Sequence, residues 1–502
     1  MILLTLLLSA QAGDWPMWGG DPERNMVAPG RRAPDFHPGA LISGTEEVDP
    51  STTRGVRWVV KLGSQTYGNP TVADGRVFVG TNNAQHERPG IEGDRSLVQA
   101  RSTEDGALLW QLSVPKLGTG KVNDWEFLGI CSSPTVAGEV VYVVTNRGEV
   151  VALDVNGLAN GNQGYQDEGA YLAGPGNPPV PLHDLDADIL WRYDFIEELG
   201  VFPHNITSSS VLVVGDHLWV TTSNGVDWSH LDIPSPFAPT LVVLNRHTGE
   251  LVAEDMSGIS ERLLHASWSS PTWLPARRGV PEQVIFGGGD GWLYGFRPEP
   301  TKIDGLGALD ERWRLDVNPP HYRERDGAPI RYATFDGPSE VIATPVSHRG
   351  TVYASIGQDP EHGPGVGRLV AVDPSGEGDV SQTHIRWAYE DIGRSLSTVA
   401  VHRRVVYATD YDGRVHALHP RTGKPFWVHP THGHIWSSPL AIGRHLLVGN
   451  EDGVLTVLRT TRRAAIVEAE HRFPAPLHTT PVVADGVLYL ATMTHLYAIE
   501  GE

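Results

Sequence analysis

A single cysteine, Cys131, occurs in 502 residues, so no internal disulfide can form. The Cys-x-x-Cys pairs used for zinc, dithiol redox chemistry or haem attachment are likewise excluded. Positive charge is scarce too: 39 Lys and Arg stand against 60 Asp and Glu, a formal net charge of −21 with no basic stripe. Neutralising phosphates needs such a stripe, and nucleic acid is therefore not an expected partner. Gly-x-Ser-x-Gly and His-Glu-x-x-His are absent. Long apolar runs are missing as well. The apolar start from Met1 is too short to span a bilayer but suits a signal peptide, residues 1–12, cleaved after Ala10-x-Ala12. The expected product has no transmembrane segment and lies in the periplasm or outside the cell.

What the chain does have is repetition. From Ile130 to Asp154 three Val-rich runs (Pro134–Ala137, Val140–Thr145, Glu149–Asp154) are separated by Ala137-Gly138 and Arg147-Gly148, as successive antiparallel strands require. A fourth run, Asp188 to Tyr193, completes a four-stranded sheet. The unit returns eight times, opening at Tyr67, Cys131, Thr207, Trp268, Ile342, Leu396, Trp436 and His478. Turn pairs such as Asp290-Gly291, Asp412-Gly413 and Asp452-Gly453 recur in phase, and the fourth strand carries Trp at 110, 191, 313, 387 and 427.

The eighth unit has no fourth strand after Tyr497. Arg54 to Lys61, ahead of the first unit, has the fourth-strand pattern and can fill that place, hiding the open edges at the seam. The expected fold is an all-β, eight-bladed β-propeller of four-stranded antiparallel blades closed by an N-terminal strand, residues 54–502, after an extension at 13–53. A ring grows by adding blades, so this length needs no second core.

Strand alternation sends the fourth-to-first and second-to-third connections to one face. That face gathers the long loops and most of the unusual side chains, and propellers bind ligands at such mouths. Candidate ligand-binding residues are Trp125, Glu126, His204, Asn205, Asp227, Trp228, Trp268, Gln358, Asp359, His362, Arg394 and Trp436, with His230 and His265 in the same loops. On the opposite face, the insertion between Asp154 and Asp188 offers hard oxygen donors, Asp154, Asn156, Asn160, Asn162 and Glu168, among glycines that permit tight curling. The composition reads first as a loop held by its own side-chain to backbone hydrogen bonds, with Ca²⁺ binding as the alternative.

The Ser-Ser-Pro openings, Asp-Gly hairpins and fourth-strand Trp residues together resemble the PQQ-binding-like β-propeller repeat family, within the quinoprotein alcohol dehydrogenase-like superfamily. Asp14-Trp15-Pro16-Met17-Trp18-Gly19-Gly20 and Val201 to Asn205 resemble its secreted bacterial branch. The resemblance implies two different jobs. In the dehydrogenases the ring holds pyrroloquinoline quinone and Ca²⁺; in the lipoprotein that helps assemble outer-membrane β-barrels it is a protein-binding platform. For the first job Trp268 or Trp436 would be a floor, Glu126, Asn205 and Asp227 oxygen ligands, and Arg394 a partner for a cofactor carboxylate. The adjacent Cys pair that forms the lid in those enzymes is absent. The expected function is accordingly a binding or scaffold module for a protein, peptide or glycan at the loop-rich face. A quinone- and Ca²⁺-dependent alcohol or sugar dehydrogenase is the alternative, with pyrroloquinoline quinone and Ca²⁺ as the candidate cofactors.

Overall fold

Eight short first strands, each only three residues long, stand innermost in eight blades of antiparallel strands. The computed structural model describes residues 13–85, 87–362 and 365–501, so the signal-peptide segment falls outside the described residues. Blade one runs Thr71–Ala73, Arg76–Asn82, Arg95–Ser102, Leu108–Pro115; blade two runs Thr135–Ala137, Val140–Thr145, Glu149–Asp154, Ile189–Asp194. The first strands of blades three to seven are Leu212–Val214, Thr272–Leu274, Val346–His348, Ala400–His402 and Leu440–Ile442. In blade eight, Val482–Ala484, Val487–Ala491 and His495–Ile499 are joined by Val56–Lys61, with Trp58 opposite Ala498 and Val59 opposite Tyr497. The ring is sealed by the N-terminal strand, as the repeat phase predicts.

The same irregularity marks every blade. In all eight, the pairing of third and fourth strands slips by one residue beside the position that usually carries Trp, for example between Ala100 and Arg101 and between Ala417 and Leu418. Such a bulge bends the outer strand and aims its ring at the next blade. Trp110 Nε1–H donates to Val155 O at 2.9 Å, Trp191 to Arg246 O at 3.2 Å and Trp387 to Pro420 O at 2.9 Å, each in the following blade. The receiving turn holds a glycine at positive φ, Gly157, Gly249 or Gly423, whose absent Cβ would meet the indole at 2.6 to 2.7 Å. Blade-to-blade packing therefore rests on a repeated Trp-on-Gly contact that needs both partners.

The extension forms the base of the ring. Three-residue inner strands leave an unpaired edge of N–H groups facing the axis, which must find acceptors. Residues 13–26 supply them in turn. Gly13 O accepts from Asp485 N, Trp15 exchanges both bonds with Val72, Pro16 O accepts from Val136 N, Pro22 O from Trp273 N, Glu23 O from Ser347 N, and Met26 O from Ala441 N. Asn25 exchanges side-chain bonds with the backbone of Val401. Arg24, fully buried, reaches the remaining blade: its guanidinium donates to Val211 O (2.8 Å), Pro271 O (3.2 Å) and Trp18 O (2.7 Å). One segment thus touches all eight blades and closes the axial channel from below.

Candidate functional site

With the base closed, the channel becomes a funnel open on the loop-rich face, enclosing about 490 Å³. Trp18 is its floor, its indole N–H donating to Thr344 Oγ1 at 3.1 Å. Above the floor each blade contributes one residue at the same point of the repeat: Asn69, Ser133, Ser210, Ser270, Thr344, Thr398, Ser438 and Thr480. Two residues earlier in each blade comes a second, wider ring: Tyr67, Cys131, Ser208, Trp268, Ile342, Leu396, Trp436 and His478. The two-residue step is the extended-chain period, so alternate residues of one segment face the axis.

The lower ring is knitted from backbone to side chain. Thr398 N donates to Ser438 Oγ, Ser438 N to Thr480 Oγ1, Thr480 N to Asn69 Oδ1, Asn69 N to Ser133 Oγ, Ser133 N to Ser210 Oγ and Ser210 N to Ser270 Oγ, over 2.6 to 3.3 Å. Each of these oxygens accepts at least one such bond. Their hydroxyl hydrogens have no protein acceptor among the described residues, and a hydroxyl supplies one donor beyond its lone pairs. The lower ring therefore offers several O–H donors to whatever enters. The upper ring is mostly aromatic and aliphatic, with burial pushing the Tyr67 phenol up to about 12 and the His478 imidazole down to about 4, so both are neutral at pH 7.

Five of the candidate ligand-binding residues line this space, Trp125, Asn205, Trp268, Asp359 and Trp436. Burial raises the Asp359 carboxyl to about 6. His204 and His362 stand instead in a group of imidazoles with His230 and His265. Gln358 is buried, its amide donating to the carbonyls of Thr334 and Pro338, which ties down the blade-four-to-five loop. The Arg394 guanidinium lies 4.4 Å from the Tyr411 ring centre. Glu126 and Trp228 are exposed. Asp227 Oδ1 accepts from Ser229 N and Oγ and so shapes its own turn.

On the far face, Asp154 accepts from Asn156 N and Asn160 Nδ2, and Glu168 accepts from Asn162 Nδ2. The five residues named for Ca²⁺ thus form two hydrogen-bonded sets, Asp154 with Asn156 and Asn160, and Glu168 with Asn162. Asp188 joins them, its carboxyl raised to about 6 by burial and then by the neighbouring Glu168 and Asp154.

The residues matched to a quinone cofactor do not assemble. Asn205 lines the funnel, but Glu126 projects from an exposed loop, the Asp227 carboxylate is held by its own turn, and Arg394 lies outside the funnel lining. The floor under the funnel is Trp18, from the extension, rather than Trp268 or Trp436, which sit in its wall. No step of chemistry through that group follows from this donor set.

Comparison with known proteins agrees with the architecture. The chain matches the family described as outer membrane protein assembly factor BamB over residues 48–157, 90–261 and 323–429, more than half its length. It belongs to that family of PQQ-like β-propellers. No curated protein matches it. Among solved structures it resembles BamB from Moraxella catarrhalis (17% identity, TM-score 0.53, 88% of this chain and 98% of that one). It also resembles a europium-containing methanol dehydrogenase (12% identity, TM-score 0.59, 97% and 91%). At these identities the likeness is one of fold. Among the described residues no helix is long and apolar enough to cross a membrane.

Proposed function

We propose that this protein is an extracytoplasmic binding module that takes the end of a neutral, oxygen-rich ligand, a glycan in preference to a peptide, into the axial funnel without altering it chemically. The observation that carries this reading is the pair of stacked rings, hydroxyl donors below and aromatic faces above, over a closed floor. Sugar rings present flat C–H faces and hydroxyl edges, and a pocket that combines aromatic walls with a few convergent polar groups matches both. Asp359 and Glu361 at the wall make an anionic ligand a poor fit. Membership of the BamB family favours a binding role and an envelope location over catalysis.

The test is calorimetric titration with neutral oligosaccharides and, separately, with uncharged peptides. Micromolar oligosaccharide binding weakened by about tenfold or more in Trp268→Ala and Trp436→Ala, roughly 1.4 kcal/mol each, supports the proposal. Binding of peptides alone, or oligosaccharide binding indifferent to both substitutions, overturns it.

A further inference from the structure

Beside the funnel, four histidines from four separate segments meet: His204 and His265 from inter-blade connections, His230 from the second-to-third loop of blade three, His362 from that of blade five. We infer that this group is a binding site for a divalent transition-metal ion of the zinc–copper class, independent of what the funnel holds. His204, His230 and His265 each bring one ring nitrogen to within 4.8 Å of the others, and His362 Nε2 lies 3.0 Å from His265 Nε2. Tetrahedral zinc with Zn–N near 2.0–2.1 Å sets its nitrogens about 3.3 Å apart.

The ring nitrogens are prepared as ligands. His204 Nδ1 donates to Val226 O at 2.7 Å, which fixes the hydrogen there and leaves Nε2 as a lone pair. That nitrogen is buried, in a residue with no exposed surface, and has no hydrogen-bond partner. An unpaired buried polar atom is costly unless something binds it. His265 is equally buried, and its Nδ1 has no hydrogen-bond partner; the Glu340 carboxyl stands 3.9 Å away and accepts instead from Tyr332 OH at 2.9 Å. An imidazole whose other nitrogen donates to a backbone carbonyl, as that of His204 does, has the usual outer shell of a metal-bound histidine. His230 reaches the group from a residue held at φ +58°, a conformation that costs energy and that its surroundings must enforce. An all-imidazole donor set selects the zinc–copper end of the divalent series over Ca²⁺ or Mg²⁺, which take oxygen ligands.

The experiment strips the full chain with chelator and titrates it with Zn²⁺ alone, then with Co²⁺ as a spectroscopic reporter. The expected result is one ion per chain, a visible Co²⁺ band of tetrahedral intensity, and affinity reduced by at least about tenfold in both His230→Ala and His362→Ala, since each removes a ligand. These two rim residues are only partly buried, so the variants test binding without emptying the core; circular dichroism confirms the fold. His204→Gln, at the buried end, should abolish the Co²⁺ band. Failure to retain Zn²⁺ at one per chain overturns the assignment and leaves the histidines as a hydrogen-bonded cluster. So does retention that is unchanged in His230→Ala and His362→Ala.

Discussion

Replacing Gly157 by Ala should destabilise the ring far more than replacing Gly138 by Ala, although both glycines belong to blade two and both have positive φ, +58° and +69°. The left-handed conformation costs an alanine about 1–2 kcal/mol at either position. At Gly138 nothing lies within 4 Å of the added methyl, so the strain is the whole effect. At Gly157 the methyl would sit 2.7 Å from Trp110 Cδ1. The fully buried indole cannot retreat without losing its bond to Val155 O at 2.9 Å. Forcing a methyl into a packed contact costs about 1–3 kcal/mol, and the lost hydrogen bond about 1 more. The expected losses are therefore about 1–2 kcal/mol for Gly138→Ala and about 3–6 kcal/mol for Gly157→Ala. Urea-unfolding midpoints of the two variants, with circular dichroism as probe, measure the difference. Equal losses would refute the idea that Trp-on-Gly contacts couple the blades.

Burial raises the Asp255 carboxyl to about 6 while its oxygen accepts from Thr240 N and Leu241 N. A raised carboxyl binds its proton more tightly when folded, so its contribution is full below about pH 4 and is lost as pH rises through 6, by up to about 3 kcal/mol. Asp255→Asn keeps an acceptor for both N–H groups; it should flatten the stability profile between about pH 4 and 6 and exceed the parent at about pH 8, as urea titrations at both ends would show. Arg24→Met should cost about 3 kcal/mol or more, since three buried carbonyls lose a charged donor, read as a fall in the urea midpoint. The same variant should loosen residues 13–26, seen as faster amide hydrogen exchange at Val72, Val136 and Ala441.

The repeat made the ring legible because strand period, turn pairs and Trp placement all coincide around the circle, and the missing strand after Tyr497 pointed to Trp58. The loop-rich face was legible for the same geometric reason: alternation fixes where connections emerge. The lower ring was not. Ser133, Ser210 and Ser438 read as parts of strand openings, and only the closed circle shows that equivalent residues of every blade converge. The base was missed because the extension has no repeat to betray it. Its signal was present in Trp15, Met17 and Trp18, a cluster of large apolar side chains too costly to leave in water. The histidines were placed on the right face, but their meeting across blades three, four and five depends on loop conformations that no local pattern encodes.

Filling the funnel separates axial binding from docking elsewhere on the ring. Ser208 faces the axis from the upper ring and is only partly buried, so Ser208→Trp places an indole in the ligand space at little cost to the core. If the funnel is the binding site, oligosaccharide titration of this variant should show affinity reduced by about 100-fold or more, some 3 kcal/mol, with an unchanged urea midpoint. Parent-like binding in a correctly folded Ser208→Trp protein would place the site outside the funnel.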